Sequence, residues 1–111
     1  MLDLRQWRQF ITLAEELHFG RAAARLHMTQ PPLSQAVQGL ERALGVALFE
    51  RTRRSVALTP AGAALLAPVR RLLAAADELP RTAQAAAAGL AGRLRLAFVS
   101  NITYVSSPGW L

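Results

Sequence analysis

Residues 19–44 read FGRAAARLHMTQPPLSQAVQGLERAL, and the fold turns on this stretch. A short Ala-rich segment is followed by a turn and by a longer segment opening on Thr29-Gln30-Pro31-Pro32. That order predicts a helix-turn-helix, whose second helix has the dimensions to enter a DNA major groove. Thr29 or Gln30 is expected to cap the second helix. Pro31 and Pro32 fit its first turn, where backbone amides have no intrahelical acceptor to lose. Leu33, Val37, Leu40 and Leu44 recur at i, i+4, i+7 and i+11 as one buried face. Gly45 ends the helix in the left-handed position. The opposite face carries Ser34, Gln35, Gln38 and Arg42, polar and hardly acidic, as a base-reading surface requires.

Upstream, Asp3 and Gln6 suit a capping box for a first helix. Trp7, Phe10, Ile11, Ala14 and Leu17 follow at helical spacing as its buried stripe. Phe19 is expected just before a second helix over Arg21–Leu26, whose Ala22, Ala23 and Leu26 permit a close helix crossing. Downstream, LFERTRRSVAL at 48–58 predicts two short strands, Phe49–Arg51 and Val56–Leu58, with a turn over Thr52–Ser55. A hairpin at this point is the layout of a winged helix-turn-helix, whose wing reaches phosphates or the minor groove.

Thr59-Pro60 opens a further helix. Leu65, Leu66, Val69, Leu72, Leu73, Ala76 and Leu79 trace a near-heptad apolar stripe along it. A helix continuing to Ala91 would be roughly 48 Å long at 1.5 Å per residue, and a partner chain is the simplest cover for its stripe. Pro68 and Pro80 oppose an unbroken rod, and a kink is expected near Pro80. RLRLAFVS at 93–100 alternates as a strand does. One strand forms no sheet alone, so 92–111 reads as the start of a further unit.

At 111 residues, with 52% apolar residues, the chain has room for one compact domain and an appendage. Thirteen basic residues against seven acidic ones give a net charge of +6, which favours a polyanionic partner. All the basic residues are arginine, suited to phosphate and base recognition, although a GC-rich genome also enriches Arg and Ala. With no cysteine, disulfides and thiolate metal sites are excluded. His18 and His27 are expected to be structural, since their spacing and the lack of a matching carboxylate do not suit zinc. No nucleophile–base pair or phosphate-binding glycine loop points to an enzyme. The N-terminus does not read as a signal peptide, and no apolar run suits a membrane span, so a cytoplasmic protein is expected.

Taken together, FITLAEELHFGRAAARLHMTQPPLSQAVQGLERALGVALFERTRRSVALTPAG followed by GRLRLAFVS resembles the N-terminal part of LysR-type transcriptional regulators of bacteria. The resemblance covers residues 1 to about 100. It implies an all-α fold with a small β wing: a winged helix-turn-helix over 1–59, a linker and dimerisation helix over 60–91, and the truncated start of an α/β effector-binding domain over 92–111. In full-length members the effector domain binds a small-molecule inducer; within 1–111 no cofactor is expected. The partners implied are operator DNA and a second copy of the chain, with a tetramer open to the full-length protein. Two-fold symmetry makes the expected operator an interrupted inverted repeat, and by resemblance AT-rich at its centre.

The expected DNA contacts are Arg21, Thr29, Gln30, Pro31, Ser34, Gln35 and Gln38, with Arg53 and Arg54 on the wing. The expected dimer contacts are Trp7, Phe10, Leu65, Leu66, Val69, Leu72, Leu73 and Leu79. Many family members carry Arg after the serine of the QPPLS motif, where this chain has Gln35. Arg favours guanine O6 and N7, whereas Gln suits adenine N6 and N7. Two other readings compete: a low-specificity architectural DNA binder, and a metalloanion-responsive repressor with the same kind of N-terminal domain.

Overall fold

The computed structural model describes residues 2–100, with side chains through residue 90. In chain order it forms helices α1 (Leu4–Glu16), α2 (Phe19–Arg25) and α3 (Gln30–Leu44), strands β1 (Phe49–Arg51) and β2 (Val56–Leu58), and helix α4 (Pro60–Ser100). This is the helical fold with a small β wing that the sequence leads one to expect.

The capping box opens α1: the Gln6 amide donates to Asp3 Oδ1 at 3.0 Å, and the Asp3 amide donates to Gln6 Oε1 at 2.9 Å. Phe10, Leu13 and Ala14 then face inward. Leu17 does not continue that stripe. It is the left-handed C-cap of α1, at φ 49°, and is 41% exposed. The chain must reverse here to start α2, and the reversal turns Leu17 outward.

Helix α2 starts at Phe19, two residues earlier than expected, because His18 caps it: the Arg21 amide donates to His18 Nδ1 at 2.9 Å. Its end is a Schellman turn, with the Met28 amide donating to the Ala23 carbonyl and the His27 amide to that of Ala24. His27 occupies the left-handed place of that motif, at φ 56°, where glycine is the usual occupant. Thr29 then precedes α3 as its N-cap without a side-chain capping bond, and Gly45, at φ 73°, closes it.

The core joins α1, α2, α3 and the wing through fully buried Phe10, Leu13, Leu33, Leu40, Leu48 and Val37. Burial of side chains this size contributes about 1.5–3 kcal/mol each. Phe10 meets Phe49 of β1 at 5.6 Å between ring centroids. Buried Gln9 and Thr12 are satisfied: Gln9 Nε2 donates to Met28 Sδ at 3.9 Å, and Thr12 Oγ1 to the Arg8 carbonyl at 2.8 Å.

The two strands pair antiparallel in the register Phe49 with Leu58, Glu50 with Ala57 and Arg51 with Val56. Thr59 fastens the following helix. Its hydroxyl donates to the Ala47 carbonyl at 2.7 Å and accepts from the Gly62 amide at 3.1 Å, while its own amide donates to the Leu48 carbonyl at 3.0 Å. The Leu48 carbonyl lies so close to Gly62 that no side chain fits there.

The chain divides into two compact units, Met1–Ala75 and Ala76–Leu111. In the first, α4 adds Val69 and Leu73 to the core, with Leu65 and Leu66 packed at its edge. Phe10, Val69 and Leu73, three of the expected dimer contacts, are 0%, 3% and 8% exposed and belong to the core of their own chain. Trp7 is half-buried beside Phe10, and of the remaining expected dimer contacts Leu72 is 44% exposed.

In the second unit Leu79 is 66% exposed and Arg81 pairs with Glu78 at 3.0 Å. Helix α4 continues through Pro68 and Pro80 without a break at either. Each proline lacks the amide that the carbonyl four residues earlier would accept from. The strand expected at 93–100 is also corrected: these residues continue α4 to Ser100. A helix satisfies its backbone groups internally, whereas a single strand leaves them without a ladder, and Leu, Arg and Ala are good helix formers. Of the expected effector-domain start at 92–111, residues 101–111 lie outside the described residues.

Candidate nucleic-acid interface

Helix α3 is two-faced because its sequence is. Leu33, Val37 and Leu40 turn into the core, and their burial fixes the rotation of the helix about its axis. Pro31, Ser34, Gln35 and Gln38, at i, i+3, i+4 and i+7, are thereby aligned on the outward face. Pro31, Gln35 and Gln38 are exposed and Ser34 is half-buried. Thr29 and Gln30, both exposed, stand at the N-terminal end of the same face. The Thr29 hydroxyl makes no capping bond to α3.

The wing tip is a built turn. Thr52 Oγ1 accepts from the amides of Arg54, at 3.3 Å, and Ser55, at 3.0 Å, and lies 2.9 Å from Ser55 Oγ. The Thr52 amide closes the turn on the Ser55 carbonyl at 2.9 Å. This network absorbs the polar groups of the two flanking residues and presents Arg53 and Arg54 between them. Both are exposed, and neither guanidinium forms an ion pair among the described residues. They are cations left available to an outside anion.

Not every arginine is so placed. Arg21 pairs with Glu16 at 3.3 Å, although its side chain remains 62% exposed. Arg25 bonds Glu15 at 2.8 Å and Glu16 at 3.2 Å. The hydrogen bond to Glu15 raises its guanidinium above its usual pKa, outweighing the opposing effect of desolvation, and Glu16 adds to the rise. Arg51 meets Glu41 at 2.8 Å and lies over the Phe19 ring at 5.4 Å from its centroid. Glu41 also accepts from the Leu48 and Phe49 amides, at 2.7 and 3.1 Å. This carboxylate ties the end of α3 to the start of the wing. The sequence alone does not reveal this clamp, because the two amides lie in a connection without a motif of its own. Nor does it reveal His18 as a cap.

Among the described residues no three His, Cys, Asp or Glu side chains come together as a metal site. No described helix is long and apolar enough to cross a membrane. What the geometry offers is an exposed row of uncharged polar side chains on α3 and, on a short hairpin, two guanidinium groups without an ion pair among the described residues. An amide or hydroxyl ridge reads base edges, and guanidinium groups neutralise phosphate or enter a narrow minor groove.

The model of the bacterial regulatory helix-turn-helix proteins of the lysR family matches residues 4–63. The chain belongs to the LysR family. Among its LysR relatives, the HTH-type transcriptional regulator IlvR of Caulobacter vibrioides is 53% identical over 107 residues, which make up 96% of this chain and 36% of IlvR. The chain therefore spans about a third of the length of that relative. The same helices and wing are found in the crystal structure of a CbnR_DBD–DNA complex, with TM-score 0.74 and 43% identity over 78% of this chain and 99% of that one. They are found again in the BenM_DBD complex with benA site 1 DNA, with TM-score 0.75 and 38% identity over 79% of this chain and 99% of that one.

Proposed function

We propose that this chain is the sequence-specific DNA-binding portion of a LysR-type transcriptional regulator that acts as a dimer. One observation carries the reading. The outward face of α3 displays Gln30, Ser34, Gln35 and Gln38 beside the unpaired Arg53 and Arg54, and the solved structures similar to this chain include domains bound to DNA. Each subunit places α3 in a major groove and the wing in the flanking minor groove, so that two subunits read an interrupted inverted repeat. Thr29, Pro31 and Arg21 contribute sugar and phosphate contacts that set the register. Exposed Leu72 and Leu79 contribute to self-association. The remainder of the full-length protein binds a small-molecule inducer, and the protein works in the cytoplasm.

The test is a selection from a random double-stranded DNA pool at physiological salt, with the enriched sequences read out. Enrichment of a two-fold symmetric motif is the expected result. A half-site alone would assign dimerisation to the rest of the protein. Absence of any motif, with binding that disappears as salt rises, would overturn the specific reading in favour of an architectural DNA binder.

A further inference from the structure

We infer that Gly20 is a positioning residue for Gln30, and that the missing side chain at Gly20 sets where the Gln30 carboxamide meets DNA. The inference rests on the reading of α3 as the DNA-contacting helix. Gly20 lies in the first turn of α2 and Gln30 in the first turn of α3. A β-carbon on Gly20 would stand 3.2 Å from Gln30 Nε2, 2.9 Å from His18 Cε1 and 3.3 Å from His18 Nδ1. The carboxamide and the imidazole thus both lie against the bare α-carbon.

The backbone of Gly20 does not require glycine. Gly45 alone among the described glycines has a positive φ, and helix propensity favours alanine over glycine. The space is what glycine supplies. Of the two neighbours, the His18 ring is held, because its Nδ1 accepts the Arg21 amide at 2.9 Å and so caps α2. Gln30 is exposed and has no hydrogen bond that anchors its carboxamide elsewhere among the described residues. A methyl group at position 20 therefore meets the His18 ring most closely, and the Gln30 carboxamide, the far end of an exposed side chain, must also give by a few tenths of an ångström. Misplacing a polar group at a base edge or phosphate removes its hydrogen bond, and discrimination by a well-placed side-chain amide is worth roughly fivefold or more.

The experiment measures binding of the whole chain to the duplex enriched in the selection above, and to a set of its single-base-pair variants. The proteins compared are the parent, Gly20→Ala, Gln30→Ala and the double variant. Gly20→Ala is expected to weaken binding or alter preference at the same position that Gln30→Ala affects, by roughly fivefold or more, and to have no further effect in the Gln30→Ala background. Losses that add, or that persist when Gln30 is already truncated, would assign Gly20 to the α2 cap and overturn the inference while leaving the DNA-binding reading intact. If Gln30→Ala has no effect on the enriched duplex, the inference falls with the role of Gln30. If no duplex is enriched, the inference falls with the DNA reading itself. Should Gly20→Ala melt too low for binding studies, the space at Gly20 serves the His18 cap and not Gln30, and the inference is overturned.

Discussion

The Glu41 carboxylate holds the Arg51 guanidinium at 2.8 Å, and this contact fastens the last turns of α3 to the first strand of the wing. Its side chain is 15% exposed and that of Arg51 is 27% exposed. The pair is therefore less screened than a surface ion pair. Because the same carboxylate holds the Leu48 and Phe49 amides, Glu41→Ala leaves two amides and a cation without their acceptor. A loss of about 2–3 kcal/mol in unfolding free energy is expected, measured by urea denaturation. A loss within experimental error would mean that water replaces the carboxylate without penalty.

Two glycines should respond to alanine in opposite directions. Gly62→Ala drives a methyl group into the Leu48 carbonyl, which is backbone and cannot swing aside, and should destabilise by about 1–3 kcal/mol. Gly39 lies inside α3, where the nearest atom a β-carbon would meet is Arg42 Nη2 at 3.8 Å. There Gly39→Ala should stabilise by about 0.5–1 kcal/mol. Paired thermal melts decide both, and a shift of the same sign in each would refute the steric assignment of Gly62.

Gln35→Ala should relax selectivity at one base pair, by about 1–3 kcal/mol at that position. Competition binding against single-base-pair variants is the measurement. Equal losses across all variants would show that Gln35 does not read a base.

The Arg53→Ala variant should weaken binding across sequences and lower the slope of log K against log salt by about one unit. A titration of affinity against salt supplies the slope. An unchanged slope would remove Arg53 from the phosphate contacts.

The apolar residues of α4 should separate by burial. Leu79→Glu, at a residue 66% exposed, should reduce self-association in sedimentation equilibrium while the chain stays folded. Val69→Glu, at a residue 3% exposed, should unfold the domain, since an unpaired buried carboxylate is strongly penalised. Undiminished self-association of the Leu79 variant would place the dimer contact elsewhere.

Periodicity and capping chemistry made most of this fold legible in the sequence. Asp3 with Gln6, the proline pair at the head of α3, and Gly45 at its end each mark a helix boundary by a local rule, and the hairpin announced itself by alternation around Thr52–Ser55. Periodicity could not tell which apolar partner a residue finds. Phe10, Val69 and Leu73 carry the pattern expected of an interface, yet a core and an interface bury side chains by the same physics. The alternation in RLRLAFVS misled because a strand requires neighbours, and a helix requires none. At the candidate interface, the exposure of the polar face of α3 and of the two wing arginines was readable from spacing alone. The Glu41 clamp and the closeness of Gly20 to Gln30 were not, since each joins residues brought together only by the crossing of helices or by an irregular connection; the His18 cap is local, but histidine is not among the usual capping residues.

The packing of Val69 and Leu73 into the core has a consequence for where the chain can be cut. A fragment ending at residue 59 or 63 would contain every expected DNA contact, yet it would lose Val69 and Leu73 from the core cluster and leave their places to water. The smallest autonomous folding unit therefore extends to about Ala75, and a proteolytic nick within 60–73 should abolish DNA recognition without removing a single contact residue.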